Sequence, residues 1–429
     1  MRRKPSHLFL FIMAFLAVAA CLIFGVRSEP ASSTPVFAQA YGLQCSACHT
    51  QVPFLNSFGR YVQRSGYNAL SPDALKHAFP VFLLDARTGY GYQAGLPSKA
   101  YTVIGPGNTT DVYAVGALGP EFTYHVEQWL QYLGQPGFLD ETWLAYHGIA
   151  NHNGHLYVGK LAALNIDENE APFVLRDIND SSLTLPVTAG VHDYALDETG
   201  SRWGFRYNQF VGRFVGQVQY VGAPSGTSSF NRAYDFSTTN GGDRSLQWRA
   251  AYADPAHPWE VGVFGENGTL SWTGTTSGTQ LSHDNYTLVG PYVMKDPRPG
   301  SPGFRLQYAA TSDSNPGFLT TPSGSAIGPG RSNGSYMVGS VYELFVQNRL
   351  MANVTYFHTN MPFSPLGPPG APITTGFIQK TGPETAGSAG LSYAITPYVR
   401  VFAAGTTVTN QRPYWDVLVW ITPPLRNRR

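Results

Sequence analysis

Along most of the chain, apolar and polar residues alternate one by one. In 201–208, S-R-W-G-F-R-Y-N, Trp203, Phe205 and Tyr207 fall on one side, with Arg202, Gly204, Arg206 and Asn208 on the other. In 213–220, Phe214, Val218 and Tyr220 oppose Arg213, Gln217 and Gln219. In 245–252, Leu246, Trp248 and Tyr252 oppose Ser245, Gln247 and Arg249, and in 303–308, Phe304, Leu306 and Tyr308 oppose Arg305 and Gln307. Period two is the strand period, because successive side chains point to opposite faces. Segments of about ten residues, with aromatics on one face and Arg and Gln on the other, fit a barrel whose outside meets lipid and whose lumen is polar.

The alternation predicts about sixteen strands, near 80–92, 111–119, 121–133, 140–149, 154–162, 201–211, 213–221, 245–253, 259–271, 285–295, 303–312, 335–347, 350–358, 385–395, 398–410 and 413–421. Connections near 120, 150–153, 212, 254–258, 296–302, 348–349 and 396–397 are short. Those near 93–110, 163–200, 222–244, 272–284, 313–334 and 359–384 are long, while two in the same set, after the third and fifteenth strands, are short. Outer-membrane barrels have short periplasmic turns, longer outer loops and an even strand number. A soluble sandwich or propeller has no reason to alternate loop length. The expected fold is therefore an all-β, transmembrane antiparallel barrel in a bacterial outer membrane, with both termini periplasmic.

Ahead of the barrel the period changes. Phe54, Leu55, Phe58, Tyr61 and Val62 recur at helical spacing, and Gly66 suits the position just past a helix end. A short amphipathic helix over 53–65 is expected. Arg60 and Arg64 lie on its other side, as a solvated basic face or as partners for acidic groups, of the wall or of a bound ligand. The start, M-R-R-K-P-S-H, is basic and is followed by an apolar run, which is the build of a secretory signal, with a membrane anchor as the alternative because the run is near the lower length limit for a span. Ala38-Gln39-Ala40 fits a cleavage site, although an earlier cut is equally compatible, and Cys21 reads as an apolar residue of the signal. The chain thus divides into a signal peptide and linker (1–36), a small segment (37–79) and a barrel (80–429).

Composition agrees. Charged residues make up 13%, about half the usual share for a soluble globular protein, and aromatics 14%. The formal net charge is +1, which gives no basis for nucleic-acid binding. Outer-membrane lipid is the expected surrounding.

Two of the three cysteines lie in residues 45–49, C-S-A-C-H. A zinc knuckle needs four ligands, and no second Cys pair exists. A thioredoxin-like dithiol expects a βαβ context. A disulfide across two residues is strained and closes almost no loop. The c-type haem attachment pattern accounts for every residue. Cys45 and Cys48 would form thioethers to one covalently attached haem c, and His49 would ligate its iron. The second axial ligand is open. No Met lies between Met13 and Met294, His77 is the nearest His, His125 falls on the lumen side of its strand, and an open or water-filled position is the remaining choice.

The run C-S-A-C-H-T-Q-V-P-F-L-N-S-F-G-R-Y-V-Q-R-S-G-Y followed by a barrel resembles the fused cytochrome–porin family of the outer membrane, best known for the monohaem iron oxidases of iron-oxidising bacteria. Cys45, Cys48 and His49 match its haem motif. Its downstream Ala-x-x-Pro-x-x-Leu motif corresponds to His77-Ala78-Phe79-Pro80-Val81-Phe82-Leu83: Pro80 and Leu83 match, while His77 stands where Ala is expected. The resemblance implies a sixteen-stranded barrel with a helical haem plug, taking electrons from extracellular Fe(II) and passing them to periplasmic carriers, a c-type cytochrome or copper protein.

One haem stores one electron, which suits Fe(II). Asp167, Glu168 and Glu170, with Asp177 and Asp180, lie in the longest outer loop as hard oxygen ligands able to attract Fe(II), or as an ordinary solvated acidic loop. The expected activity is an iron(II):cytochrome oxidoreductase or electron-transfer protein. The alternatives are a conduit for another donor or acceptor, and a non-catalytic porin whose plug bears haem. No nucleophilic triad or phosphate loop stands out.

Overall fold

The computed structural model describes residues 43–51, 54–69, 81–93, 101–103, 109–132, 135–136, 139–164, 201–222, 244–273, 281–298, 300–313, 332–346, 348–359, 384–396, 399–408 and 414–421. The signal peptide and linker, His77, and Asp167, Glu168, Glu170, Asp177 and Asp180 lie outside the described residues.

The first elements are a 3-10 turn at Cys45–Ala47, strands β1 (His49–Gln51) and β2 (Phe54–Leu55), and helix α1 (Ser57–Arg64). The wall follows as β3 (Val81–Gln93), β4 (Tyr101–Val103), β5 (Thr109–Ala117), β6 (Phe122–Tyr132), β7 (Gln135–Pro136), β8 (Leu139–Ile149), β9 (Gly154–Leu161), β10 (Arg202–Val211) and β11 (Phe214–Gly222). It continues as β12 (Arg244–Ala253), β13 (Trp259–Thr273), β14 (Leu281–Lys295), β15 (Gly303–Asp313), β16 (Ser332–Phe345), β17 (Leu350–Thr359), β18 (Glu384–Thr396), β19 (Val399–Val408) and β20 (Tyr414–Ile421).

Every pairing in the wall is antiparallel between sequence neighbours or across a short flap. β20 pairs with β3, and β9 with β10, so the order closes into a barrel. Each strand read from the alternation overlaps a strand of the wall. The ring also holds β4 and β7, of three and two residues, which flank β3 and β6 while β5 and β8 make the main pairings. They are too short to carry a period, so the alternation does not announce them.

The wall is inside-out relative to a soluble protein. β11 reads exposed-buried-exposed throughout, with Phe214 61% and Val218 48% exposed outside, and Gln217 2% and Gln219 1% exposed inside. Leu246, Val261, Val289, Leu306 and Val354 are likewise exposed, while Gln247, Arg249, Glu266, Arg305 and Gln307 are buried in the lumen. Such a surface is stable only where lipid replaces water on the outside and polar groups pair on the inside. Among the described residues no helix is long and apolar enough to cross a membrane. Arg213 departs from the alternation. It sits in the two-residue turn after β10, exposed, where its Nε pairs with Asp254 at 2.9 Å.

The segment ahead of the wall also differs from expectation. The helix starts at Ser57 rather than 53, because Asn56 takes the N-cap: its Oδ1 accepts from the Gly59 N–H at 2.9 Å. Phe54 and Leu55 instead pair with β1. The helix ends in a Schellman motif on Gly66 (φ +60°), with Tyr67 N–H bonded to Val62 O and Gly66 N–H to Gln63 O, both at 2.9 Å. The segment is thus a ribbon plus one two-turn helix. Its buried helical face holds Gly59, Arg60, Val62 and Arg64, so the arginine side is the buried one, the surroundings being polar.

Candidate functional site

The C-S-A-C-H stretch is folded back on α1. Cys48 N–H bonds to Cys45 O at 3.2 Å, and Cys48 O accepts from Asn56 N–H at 2.9 Å. The Asn56 side chain donates to Ala47 O at 3.0 Å and Ser46 O at 3.2 Å. Asn56 therefore caps the helix with its oxygen and holds the cysteine turn with its nitrogen. Gly59 lies directly beneath: a Cβ there would run into the Cys48 carbonyl oxygen. Only glycine lets the turn sit this close to the helix.

Both thiols are free and half-buried. Burial raises the Cys48 thiol to about 11, helped by the neighbouring Cys45. Burial also raises Cys45, against a local backbone hydrogen bond and the positive charge of Arg400. These thiols stay protonated at neutral pH and lack the depressed pKa of a redox dithiol. His49 lines a cleft of about 330 Å3, together with Asn56, Phe58, Pro258, Asp296 and Leu344.

A buried ion network fastens this unit to the wall at the end where the short turns lie. Arg60 is 1% exposed; its Nε meets Glu260 Oε2 at 3.1 Å, and its Nη1 and Nη2 fork onto Asp296 at 2.8 and 3.2 Å. Arg64 Nη2 meets Glu260 Oε1 at 2.8 Å, and Tyr292 Oη donates to the same oxygen at 2.6 Å. Asp296 also accepts from Ser57 N–H at 2.6 Å. Two guanidinium groups and two carboxylates leave the network neutral. Burial, and to a lesser extent the charge of Arg64, oppose the charge of Arg60, but Asp296 and Glu260 outweigh them and raise its pKa. The two arginines therefore pair with acidic wall residues, one of the readings their spacing allowed.

Further contacts carry the segment across the mouth. On one side, Gln51 Nε2 donates to Arg349 O at 2.8 Å and its Oε1 accepts from Ser392 Oγ at 2.8 Å, while Phe54 packs on Tyr342, Met351 and Leu344. On the other, Tyr157 Oη and Asn208 Nδ2 donate to Arg64 O at 2.9 and 2.7 Å. Thr123 Oγ1 donates to Gly66 O at 2.7 Å. His147 Nε2 and Thr123 Oγ1 are 2.7 Å apart, so that nitrogen is the donor. His147 Nδ1 must then accept, and it does so from His155 Nδ1 at 2.9 Å.

His125 faces the lumen as the alternation requires. It is 8% exposed, hydrogen-bonded through Nδ1 to Tyr67 Oη at 2.9 Å and stacked on Trp143, which leaves only Nε2 to ligate anything. Sequence reasoning missed Glu260, Asp296, His147 and His155. The first had a signal: Trp259, Val261 and Val263 face out, which puts Glu260 inside. Asp296 lies in a turn, where no period exists.

No family model matches the chain, and no curated protein matches it in sequence. Solved structures with the same fold include OprB of Pseudomonas putida, at 9% identity and TM-score 0.53 over 81% of this chain and 94% of that one. OmpT of Vibrio cholerae matches at 10% identity and TM-score 0.50, over 80% and 98%. The chain has the fold of outer-membrane porins.

Proposed function

We propose that this chain is an outer-membrane monohaem c-type cytochrome–porin fusion that takes single electrons from extracellular Fe(II) and passes them to a periplasmic c-type cytochrome or copper carrier. The observation that carries this reading is the seat of C-S-A-C-H: a haem-attachment pattern locked by buried ion pairs into the short-turn mouth of a porin-like barrel. Short turns are periplasmic in such barrels, so this head faces the soluble carriers.

The residues present suit haem c. Both thiols are free, on one turn, and half-buried. Each would add across a haem vinyl, its sulfur bonding to the inner carbon and its hydrogen passing to the outer one, with no group lost. His49, one residue on, would supply an axial imidazole. His77 remains the candidate for the other axial position. The bound haem supplies a one-electron Fe(III)/Fe(II) couple. The chain's own part is to fix that couple at the mouth: Asn56 holds the turn, Gly59 admits it, and Arg60 with Arg64 anchors it. The apolar band of such a barrel is about 25 Å tall, so a donor outside must enter the lumen to reach the mouth. Asp167, Glu168 and Glu170 are candidates to attract Fe(II) there.

Stopped-flow mixing of the oxidised holoprotein with Fe(II) should build the reduced haem band. Absence of that band refutes iron oxidation and leaves a conduit for another donor or acceptor. The segment crossing the mouth favours a conduit over a free pore. Steady ion conductance in planar bilayers would instead support a porin with a haem-bearing plug.

A further inference from the structure

Three adjacent strands of the lumen wall carry polar groups that no described residue satisfies. Asn353 and Thr355 on β17, Ser388 on β18 and Arg400 on β19 are 3%, 3%, 7% and 6% exposed. Asn353 Nδ2 and Oδ1, Thr355 Oγ1, Ser388 Oγ and Arg400 Nε have no hydrogen-bond partner among the described residues. Buried donors and acceptors are almost always paired, so such a group on one wall calls for a ligand.

The ladders set these residues in order. Arg400 pairs with Ala394 nearest the short turns, then Phe402 with Ser392, then Ala404 with Gly390 and Asn353, then Ser388 with Thr355. Ser392, the residue that holds Gln51, is four residues from Ser388, which is about 13 Å along a strand. Gly390 and Ala404 leave the space between them without a large side chain. The Arg400 Cζ lies 5.6 Å from the ring centroid of Phe402, the next residue on the same face of β19.

Four of the five atoms are donors or hydroxyls able to donate, and one belongs to a permanent cation. That set fits an acceptor-only anion, a carboxylate. Haem c carries its carboxylates, two propionates, on the edge opposite the vinyl positions. We infer that Arg400, Asn353, Thr355 and Ser388 receive the propionates of the haem held at Cys45 and Cys48, which therefore extends from the mouth into the lumen along β17–β19. This rests on the haem reading above. It adds which wall the haem faces and which residues bind its acidic edge.

The test uses full-length holoprotein and three changes: Thr355→Val with Ser388→Ala, Asn353→Leu, and Arg400→Gln. Haem per chain, from the pyridine haemochrome, should stay at the wild-type value in each. The propionate-bending band in resonance Raman spectra should shift in each, and the midpoint potential should fall in Arg400→Gln, because a positive charge beside the haem favours the reduced iron. Ser245→Ala, on β12, should change neither. Should one variant fail to fold, the other two decide. Wild-type protein without covalent haem would refute the haem reading itself. Covalent haem with a band and potential unmoved in every folded variant would overturn this inference alone. Acetate binding to the Cys48→Ala chain, together with unmoved bands, would assign the track to a carboxylate from solution and overturn it likewise.

Discussion

Replacing Arg60 with Met keeps the length and apolar stem of the side chain and deletes its charge. Four contacts go: Glu260 at 3.1 Å, Asp296 at 2.8 and 3.2 Å, and Leu55 O at 3.0 Å. Glu260 keeps Arg64 and Tyr292. Asp296 keeps the Ser57 N–H, so it is the carboxylate left buried without a cation. Removing one partner of a buried pair costs about 3–5 kcal/mol. The surviving N–H favours the lower end, about 3 kcal/mol, which is roughly a hundredfold in an equilibrium constant. The barrel does not depend on this contact, so the change should appear as undocking of the plug. Hydrogen exchange of amides 60–64 should quicken about a hundredfold while strand amides of the wall stay unchanged. Adding Asp296→Leu removes the orphaned charge and should recover part of the loss. A rise below about tenfold, or an equal rise throughout the wall, refutes the view that this network docks a separate unit.

Gly59→Ala should lift the cysteine turn off the helix, since its Cβ would overlap the Cys48 backbone; reduced haem per chain at unchanged barrel yield is the expected result. Gly66→Ala places a side chain at φ +60°, with His147 Cε1 2.8 Å and Tyr157 Oη 3.0 Å from its Cβ. A cost of about 1–2 kcal/mol should speed exchange of the Tyr67 amide roughly five- to thirtyfold. Cys48→Ala should give a barrel with no covalent haem, and an unchanged pyridine haemochrome spectrum would contradict that.

The wall was legible because lipid and lumen impose opposite chemistry on alternate residues. Trp203, Phe205 and Tyr207 declare an outside by their spacing alone, and Leu306 and Tyr308 repeat it. The flaps β4 and β7 have no second face to declare. Ahead of the wall, the spacing of Phe54, Leu55, Phe58, Tyr61 and Val62 suggested a helix presenting an apolar side. Asn56 cut it short, and a polar lumen turned the arginines inward. The C-S-A-C-H stretch stands out as five consecutive residues. Its anchors do not, because Glu260 and Asp296 lie 200 and 236 residues from Arg60 and meet it only when the ring has closed. The orphaned atoms on β17–β19 were also beyond sequence reading, since Ser, Thr and Asn on a lumen face are ordinary until their partners are found missing.

The crossing of the mouth bears on the order of assembly. Gln51 is held by Ser392, 341 residues later in the chain, and Arg60 by strands midway along it. Contacts of such separation form only after the intervening chain has been ordered. The part synthesised first is therefore the last to be seated. Until β18 takes its place, the turn that carries Cys45 and Cys48 lacks the Gln51–Ser392 contact that helps hold it at the mouth. Seating then acts as a receipt that the far end of the wall has arrived.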